Sequence, residues 1–138
     1  MAGHGHGSEV AHNVPILLIV DDEVDLVDVL CDALQAALPD IELVRADSAA
    51  SARRLLAELV KQQRPPHLLL TDQSLGDGTG IDLIKDLRQT LPTLPALLYT
   101  GQGGPEITAS AAQLGVRLLW KPLKLAGLLA EVRSALAG

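Results

Sequence analysis

Five residues with charged or hydroxyl side chains stand at the ends of short apolar runs in this sequence, and their types suit one kind of chemistry. They are Asp21, Asp22, Asp72, Thr100 and Lys121. In an open parallel α/β sheet the ligand site lies outside the carboxyl ends of the strands, so these side chains could converge in one crevice. Three carboxylates, a hydroxyl and an ammonium group would suit a divalent cation and a phosphoryl group.

The three carboxylates indicate which cation such a crevice would hold. Clustered carboxylates repel and raise one another's pKa unless a positive charge joins them. All the candidate ligands are hard oxygens, so Mg²⁺ or Mn²⁺ fits better than zinc. A plainer reading remains for each residue, since Asp21 or Asp22 could cap a helix and Asp72 could lie in a loop. The plain readings are reasonable singly but improbable together.

Apolar runs alternate with amphipathic segments along the chain, and this alternation predicts the elements that position the five residues. Strands are predicted over 16–20, 41–46, 67–71, 96–100 and 116–120, and helices over 23–38, 49–62, from 81 onward, 105–114 and 123–137. The predicted fold class is α/β, a flavodoxin-like doubly wound five-stranded parallel sheet of the (βα)5 kind. A strand order of 2-1-3-4-5 would place the ends of the first and third strands side by side.

Length and composition predict one globular domain over 14–138, because the 138 residues are 48% hydrophobic and no part looks like a second domain. Residues 1–13, rich in Gly and His, are interpreted as a disordered lead or an expression remnant. The net charge of −6 with scattered basic residues argues against nucleic-acid binding. No apolar stretch is long enough to span a membrane, so a cytoplasmic protein is expected. The single cysteine, Cys31, excludes an internal disulfide.

Four short motifs carry a resemblance to a known family. They are Asp21-Asp22, the segment 68–80 around Asp72, Thr100-Gly101 and Lys121-Pro122. In this order, each at a predicted strand end, they resemble the receiver domain of two-component response regulators. The resemblance extends from about residue 15 to the C-terminus.

The resemblance implies a role for each residue of the site. Asp72 would be the phosphoacceptor, taking a phosphoryl group from a phosphohistidine on a sensor histidine kinase or a phosphotransfer protein. Asp22 would ligate Mg²⁺ directly, and Asp72 is a further metal residue. Asp21 would bind the ion through water or orient the site, and Ser74 would offer its backbone carbonyl. Lys121 and Thr100 would bind phosphoryl oxygens. The chain would be a signalling protein that catalyses only its own phosphorylation and dephosphorylation, and a homodimer through the fourth and fifth strands is a further expectation.

The sequence departs from the family pattern at several places. Gly76 stands where Pro is usual, so a freer loop is expected, and Leu118 replaces the usual Tyr or Phe of the aromatic switch. Trp120 shares the predicted sheet face of Leu118 and could report in its place, although a packed edge-strand Trp is the plainer interpretation. Neither Ser74 nor Gln102, which flank the water route in the family, is acidic, so a moderate phosphoryl lifetime is predicted.

Two other classes of protein fit the same residues less well. A phosphatase of the haloacid dehalogenase type needs a second acid at the position that Ser74 occupies, and a flavin carrier would suffer from repulsion between Asp21-Asp22 and a phosphate. A pseudo-receiver that only binds partners is the alternative that remains. Whether the receiver stands alone or belongs to a longer regulator or hybrid kinase stays open.

Overall fold

A computed structural model describes residues 14–138, and the segment 1–13 lies outside the described residues. The five long strands are β1 (Ile16–Val20), β2 (Glu42–Ala46), β3 (Leu68–Asp72), β6 (Ala96–Thr100) and β7 (Arg117–Trp120). They form one parallel sheet in the order β2-β1-β3-β6-β7. Without the short hairpin that separates β3 from β6 along the chain, this is the predicted 2-1-3-4-5 order, which confirms the fold class.

Within residues 14–138, five helices cover the two faces of the sheet. They are α1 (Val24–Ala37), α2 (Ala49–Lys61), α3 (Gly80–Thr90), α4 (Pro105–Leu114) and α5 (Leu125–Ala137). Apolar residues of α1 and α5 pack in one core cluster, and those of α2, α3 and α4 pack in another on the opposite face. The three inner strands β1, β3 and β6 are buried throughout, as their unbroken apolar sequences predict, whereas β2 and β7 are partly exposed edges.

The register of the inner strands decides which functional residues meet. Val20 of β1 is paired with Thr71 of β3, so the residues that follow them, Asp21 and Asp72, emerge side by side. The chain passes from β1 to β2 on one side and later returns to β3 on the other. The crevice therefore forms at the point where the strand order reverses, as it does in doubly wound sheets.

The segment after β3 differs from the prediction, because the loop expected around Gly76 forms a hairpin. Its two short antiparallel strands are β4 (Ser74–Leu75) and β5 (Gly78–Thr79). Helix α3 then begins at Gly80, whose N–H donates to the carbonyl of Gln73 at 2.9 Å. A Cβ on Gly80 would lie 2.5 Å from the carbonyl oxygen of Asp72, so only glycine allows α3 to start this close to β3.

Candidate functional site

Asp72, the last residue of β3, lies at the base of the crevice with 2% of its surface exposed. Its Oδ2 accepts a hydrogen bond from Nζ of Lys121 at 2.9 Å, and its Oδ1 accepts one from the backbone N–H of Ser74 at 3.3 Å. The carboxylate is thus buried, fixed in direction and paired with one cation. Such a group can act chemically as an oriented oxygen nucleophile in contact with a positive charge.

The three predicted acids form one cluster. One carboxylate oxygen each from Asp21, Asp22 and Asp72 lies within 4.8 Å of the others. Asp21 and Asp72 are buried and Asp22 is exposed, so the cluster opens to solvent on the Asp22 side. Ser74 lines the same open cleft of about 430 Å³, together with Asp22, Asp72 and Lys121. Clustered hard oxygens with one open side fit a cation such as Mg²⁺, which keeps several waters when it binds.

Asp21 has a fixed partner that the sequence analysis missed. The hydroxyl of Tyr99 in β6 donates to Asp21 Oδ2 at 2.5 Å, and the backbone N–H of Glu23 donates to Oδ1 at 2.9 Å. Burial raises the pKa of Asp21, and these two hydrogen bonds oppose that rise. The pKa of Tyr99 is also raised, first by its burial and then by the bond to Asp21. Both oxygens of Asp21 thus accept a hydrogen bond within the protein, which fixes the direction of this carboxylate in the cluster.

A fourth acid, Glu23, also lies at the site. The ammonium of Lys121 is 3.1 Å from Glu23 Oε1 as well as 2.9 Å from Asp72, and it lies 5.5 Å from the centre of the Tyr99 ring. Burial by itself would lower the pKa of Lys121, but the hydrogen bonds to Asp72 and Glu23 outweigh it and the pKa is raised. Lys121 is therefore held as a cation between two carboxylates.

Thr100, the last residue of β6, is buried, but its hydroxyl is engaged by its own loop. Thr100 Oγ1 donates to the carbonyl of Gln102 at 2.5 Å and accepts from the N–H of Gln102 at 3.2 Å. The structure thus brings Asp21, Asp22, Asp72 and Lys121 into direct proximity, while the Thr100 hydroxyl bonds within the β6–α4 loop.

The two residues of the expected aromatic switch lie on β7. Leu118 is partly buried against the core cluster of α2, α3 and α4. Trp120 is 48% exposed and is paired in register with Thr100. A Cβ on Gly103 would lie 3.8 Å from Cη2 of Trp120, so the indole ring lies beside the loop that holds the Thr100 hydroxyl.

Comparison with known proteins gives one consistent family. The model of the response regulator receiver domain matches residues 17–133. The chain is 35% identical over 120 residues to response regulator protein PilR of Pseudomonas aeruginosa, covering 86% of this chain and 25% of PilR. It is 30% identical over 101 residues to photosynthetic apparatus regulatory protein RegA of Rhodovulum sulfidophilum, covering 73% of this chain and 51% of RegA.

Solved structures agree with this family. The signal receiver domain of an HD domain-containing protein from Pseudomonas fluorescens Pf-5 superposes with a TM-score of 0.73 at 29% identity, covering 91% of this chain and 96% of that one. A CheY-like receiver domain protein from Methanospirillum hungatei gives a TM-score of 0.79 at 21% identity, covering 91% of this chain and 95% of that one, and so shares the fold.

The chain belongs to the response regulator receiver domains, the signalling domains of two-component systems. The resemblance stated from the sequence is confirmed. The chain spans a quarter of PilR and about half of RegA, so it corresponds to one part of each of those regulators. None of the helices within residues 14–138 has the length and apolar character needed to cross a membrane.

Proposed function

We propose that this chain accepts a phosphoryl group on Asp72 from a phosphohistidine and thereby changes the surface it presents to a partner. The observation that carries the proposal is the state of Asp72, a buried carboxylate that contacts Lys121 and lies in a cluster with two further acids. In the transfer, an oxygen of Asp72 forms a bond to phosphorus as the bond from phosphorus to the imidazole nitrogen breaks. The imidazole nitrogen keeps the electron pair of the broken bond.

The chain's own residues have separate parts in this proposal. Asp22 and Asp72, with the backbone carbonyl of Ser74, would hold Mg²⁺, or Mn²⁺ in its place, and Asp21 would contact it through water. When bound, the cation neutralises charge on the phosphoryl oxygens. Lys121 stays beside Asp72 and pairs with a phosphoryl oxygen, which requires its ammonium to share or leave Glu23. The reaction class is thus self-phosphorylation of a signalling domain rather than turnover of a free substrate.

The decisive experiment is incubation with acetyl phosphate and Mg²⁺ followed by intact mass measurement. The wild-type chain is expected to gain one phosphoryl group and Asp72→Asn none. Asp47→Asn is the matched control, because Asp47 follows the neighbouring strand β2 but its carboxylate bonds Ser51 and lies outside the cluster. Equal labelling of wild type and Asp72→Asn would overturn the proposal. Labelling of neither would favour a pseudo-receiver that only binds partners.

An apolar strip beside the site favours a protein as the phosphoryl donor. It is lined by residues of α1, of the segment before α5 and of the start of α5: Leu26, Val29, Leu30, Pro122, Leu123 and Leu125. Val29 is 64% exposed and Leu125 44% exposed, and Lys121 borders both the strip and the acid cleft. We propose that the histidine kinase or phosphotransfer protein docks there. Val29→Glu should slow transfer from the phosphorylated donor and leave labelling by acetyl phosphate unchanged.

The output side of the domain is proposed to lie around β6 and β7, where a homodimer was also expected. The exposed Trp120 allows a direct test, because its ring borders the β6–α4 loop. Beryllofluoride, a phosphoryl mimic, should change Trp120 emission and, if the dimer forms, the sedimentation coefficient. Unchanged emission would leave Trp120 as an edge-strand residue without a reporting role. Response regulators are generally cytoplasmic, so we propose the cytoplasm as the compartment of this chain. Nucleic-acid binding by this domain is not expected.

A further inference from the structure

The hairpin that follows Asp72 is tied to a distant helix by one carboxylate. Asp77 lies in the turn between β4 and β5, and its Oδ1 accepts from the backbone N–H of Ala49 at 2.8 Å. Its Oδ2 accepts from the N–H of Ala50 at 3.0 Å. Ala49 and Ala50 lie in the first turn of α2, 28 and 27 residues before Asp77.

Asp77 completes a helix end that α2 caps only in part by itself. Ser48, the N-cap residue, accepts from the N–H of Ser51 through its hydroxyl and from the N–H of Ala52 through its carbonyl, both at 3.0 Å. The N–H groups of Ala49 and Ala50 are the two that remain, and Asp77 takes both. A carboxylate is favourable there because the N-terminus of a helix carries partial positive charge. These bonds, first the one from Ala49, lower the pKa of Asp77.

The anchored hairpin lies against the acid cluster. Ser74 is its first residue and donates its N–H to Asp72, and a Cβ on Gly76 would lie 3.6 Å from Oδ2 of Asp22. On the other side, a Cβ on Gly78 would lie 4.0 Å from Cβ of Ala49. The hairpin therefore lies between α2 and the site and contacts both. Its turn is Gly76-Asp77 followed by Gly78, a sequence with little stiffness of its own.

We propose that Asp77 is a positioning residue of the phosphoryl-transfer site. By bonding the first turn of α2, Asp77 fixes the hairpin. The hairpin in turn places the backbone of Ser74 and holds Gly76 beside Asp22. The loop has glycine at residue 76, and its own sequence does not make it rigid. The bonds from Asp77 to α2 supply that rigidity. The inference rests on the proposed function, because it concerns the same metal and phosphoryl site.

The test measures Mg²⁺ binding by the full chain, using calorimetry at a temperature where each variant is folded by circular dichroism. Asp77→Ala is expected to weaken Mg²⁺ binding by about tenfold, since partners that orient metal ligands typically contribute that much or more. Amide hydrogen exchange should accelerate across 74–80 in the same variant. Asp77→Asn keeps one of the two acceptor oxygens, so a smaller loss is expected, and it takes the place of the alanine variant if that one does not fold.

Asp47→Ala is the matched control. Asp47 also stands at the N-terminus of α2, where it accepts from Ser51 Oγ at 3.2 Å, but it does not bond the hairpin. It should leave Mg²⁺ binding and hairpin exchange unchanged. Wild-type Mg²⁺ affinity in the Asp77 variants would overturn the inference, as would an equal loss in Asp47→Ala. If the wild type itself binds no Mg²⁺, the proposed function fails first, which separates the two claims.

Discussion

Removal of one oxygen atom, by Tyr99→Phe, tests the account of how the buried acid Asp21 is tolerated. Tyr99 is fully buried and Asp21 is 1% exposed, and the hydroxyl donates to Oδ2 at 2.5 Å. Phenylalanine keeps the ring and its packing in the core cluster of α1 and α5. The substitution therefore removes the hydrogen bond and leaves the carboxylate oxygen buried without that donor.

The expected loss follows from the kind of bond. A hydrogen bond to a charged group contributes about 1.5–3 kcal/mol, and a buried charged acceptor left without a partner costs at least as much. Because the ring remains, no large cavity term is added. We expect the free energy of unfolding to fall by about 2 kcal/mol. For a domain of this size the melting temperature should fall by roughly 6–8 °C.

Urea unfolding followed by Trp120 emission and circular dichroism, in EDTA, measures the loss. The control is a double-mutant cycle with Asp21→Asn, which removes the charge but keeps an acceptor oxygen. In that background Tyr99→Phe should cost less than about 1 kcal/mol, because a neutral acceptor depends less on the donor. A loss below about 0.5 kcal/mol in the wild-type background, or equal losses in both backgrounds, would show that the Tyr99 hydroxyl does not stabilise the buried charge of Asp21.

Three further predictions concern backbone and capping positions. Gly80→Ala should cost more than about 2 kcal/mol in urea unfolding, because its Cβ would meet the Asp72 carbonyl, whereas Gly127→Ala in α5 meets nothing and should stabilise by up to about 1 kcal/mol. Gln63, which follows the C-cap residue Gln62 of α2, has φ of 60°. Gln63→Gly should therefore raise the free energy of unfolding by about 0.5–1 kcal/mol and with it the urea midpoint, and a lower midpoint would contradict this. The pKa of Asp77 is lowered from 3.8, so its stabilisation is present above that pH and is lost as pH falls through the lowered pKa. The gap in urea midpoint between wild type and Asp77→Ala should therefore close in acid, and a gap constant with pH would count against the cap.

The residues that sequence reasoning found share a local signal. Asp21, Asp72 and Lys121 each end or follow a run whose apolar character marks an inner or neighbouring strand. If the strands are assumed to pair in parallel, their carboxyl ends must lie at one edge of the sheet. The hydrophobic periodicity and the order of the strands along the chain then suffice to group these residues. The confirmed strand order supplies what one sequence could only suggest, because pairing depends on which faces the helices cover.

The residues that it missed have no such signal. Tyr99 stands inside an apolar run and reads as core; only the sheet places its hydroxyl against an acid 78 positions earlier. Glu23 reads as the start of α1, and its contact with Lys121 spans 98 positions. In the sequence, Asp77 looks like a loop residue between two glycines. The residues around it do not indicate that its carboxylate accepts hydrogen bonds from two N–H groups of α2. Long-range polar contacts depend on register and helix placement, which sequence periodicity does not specify.

The polar contacts are distributed unevenly around the site. On the α2 and α3 side, Asp77 fixes the hairpin and Gly80 seats α3 directly on β3. On the other side, α4 buries only Ala111 among its own residues, and its N-cap Gly104 makes no side-chain capping bond.

The loop that joins β6 to α4 is restrained at its start by Thr100, whose hydroxyl donates a hydrogen bond to the carbonyl of Gln102. If that hydroxyl turns to a phosphoryl oxygen, it must give up the Gln102 carbonyl, and the loop beside Trp120 loses that restraint. Because the hairpin side has several fixed contacts and the α4 side has few, a change at Asp72 should displace α4 and the surface around β7 before it displaces α2 or α3.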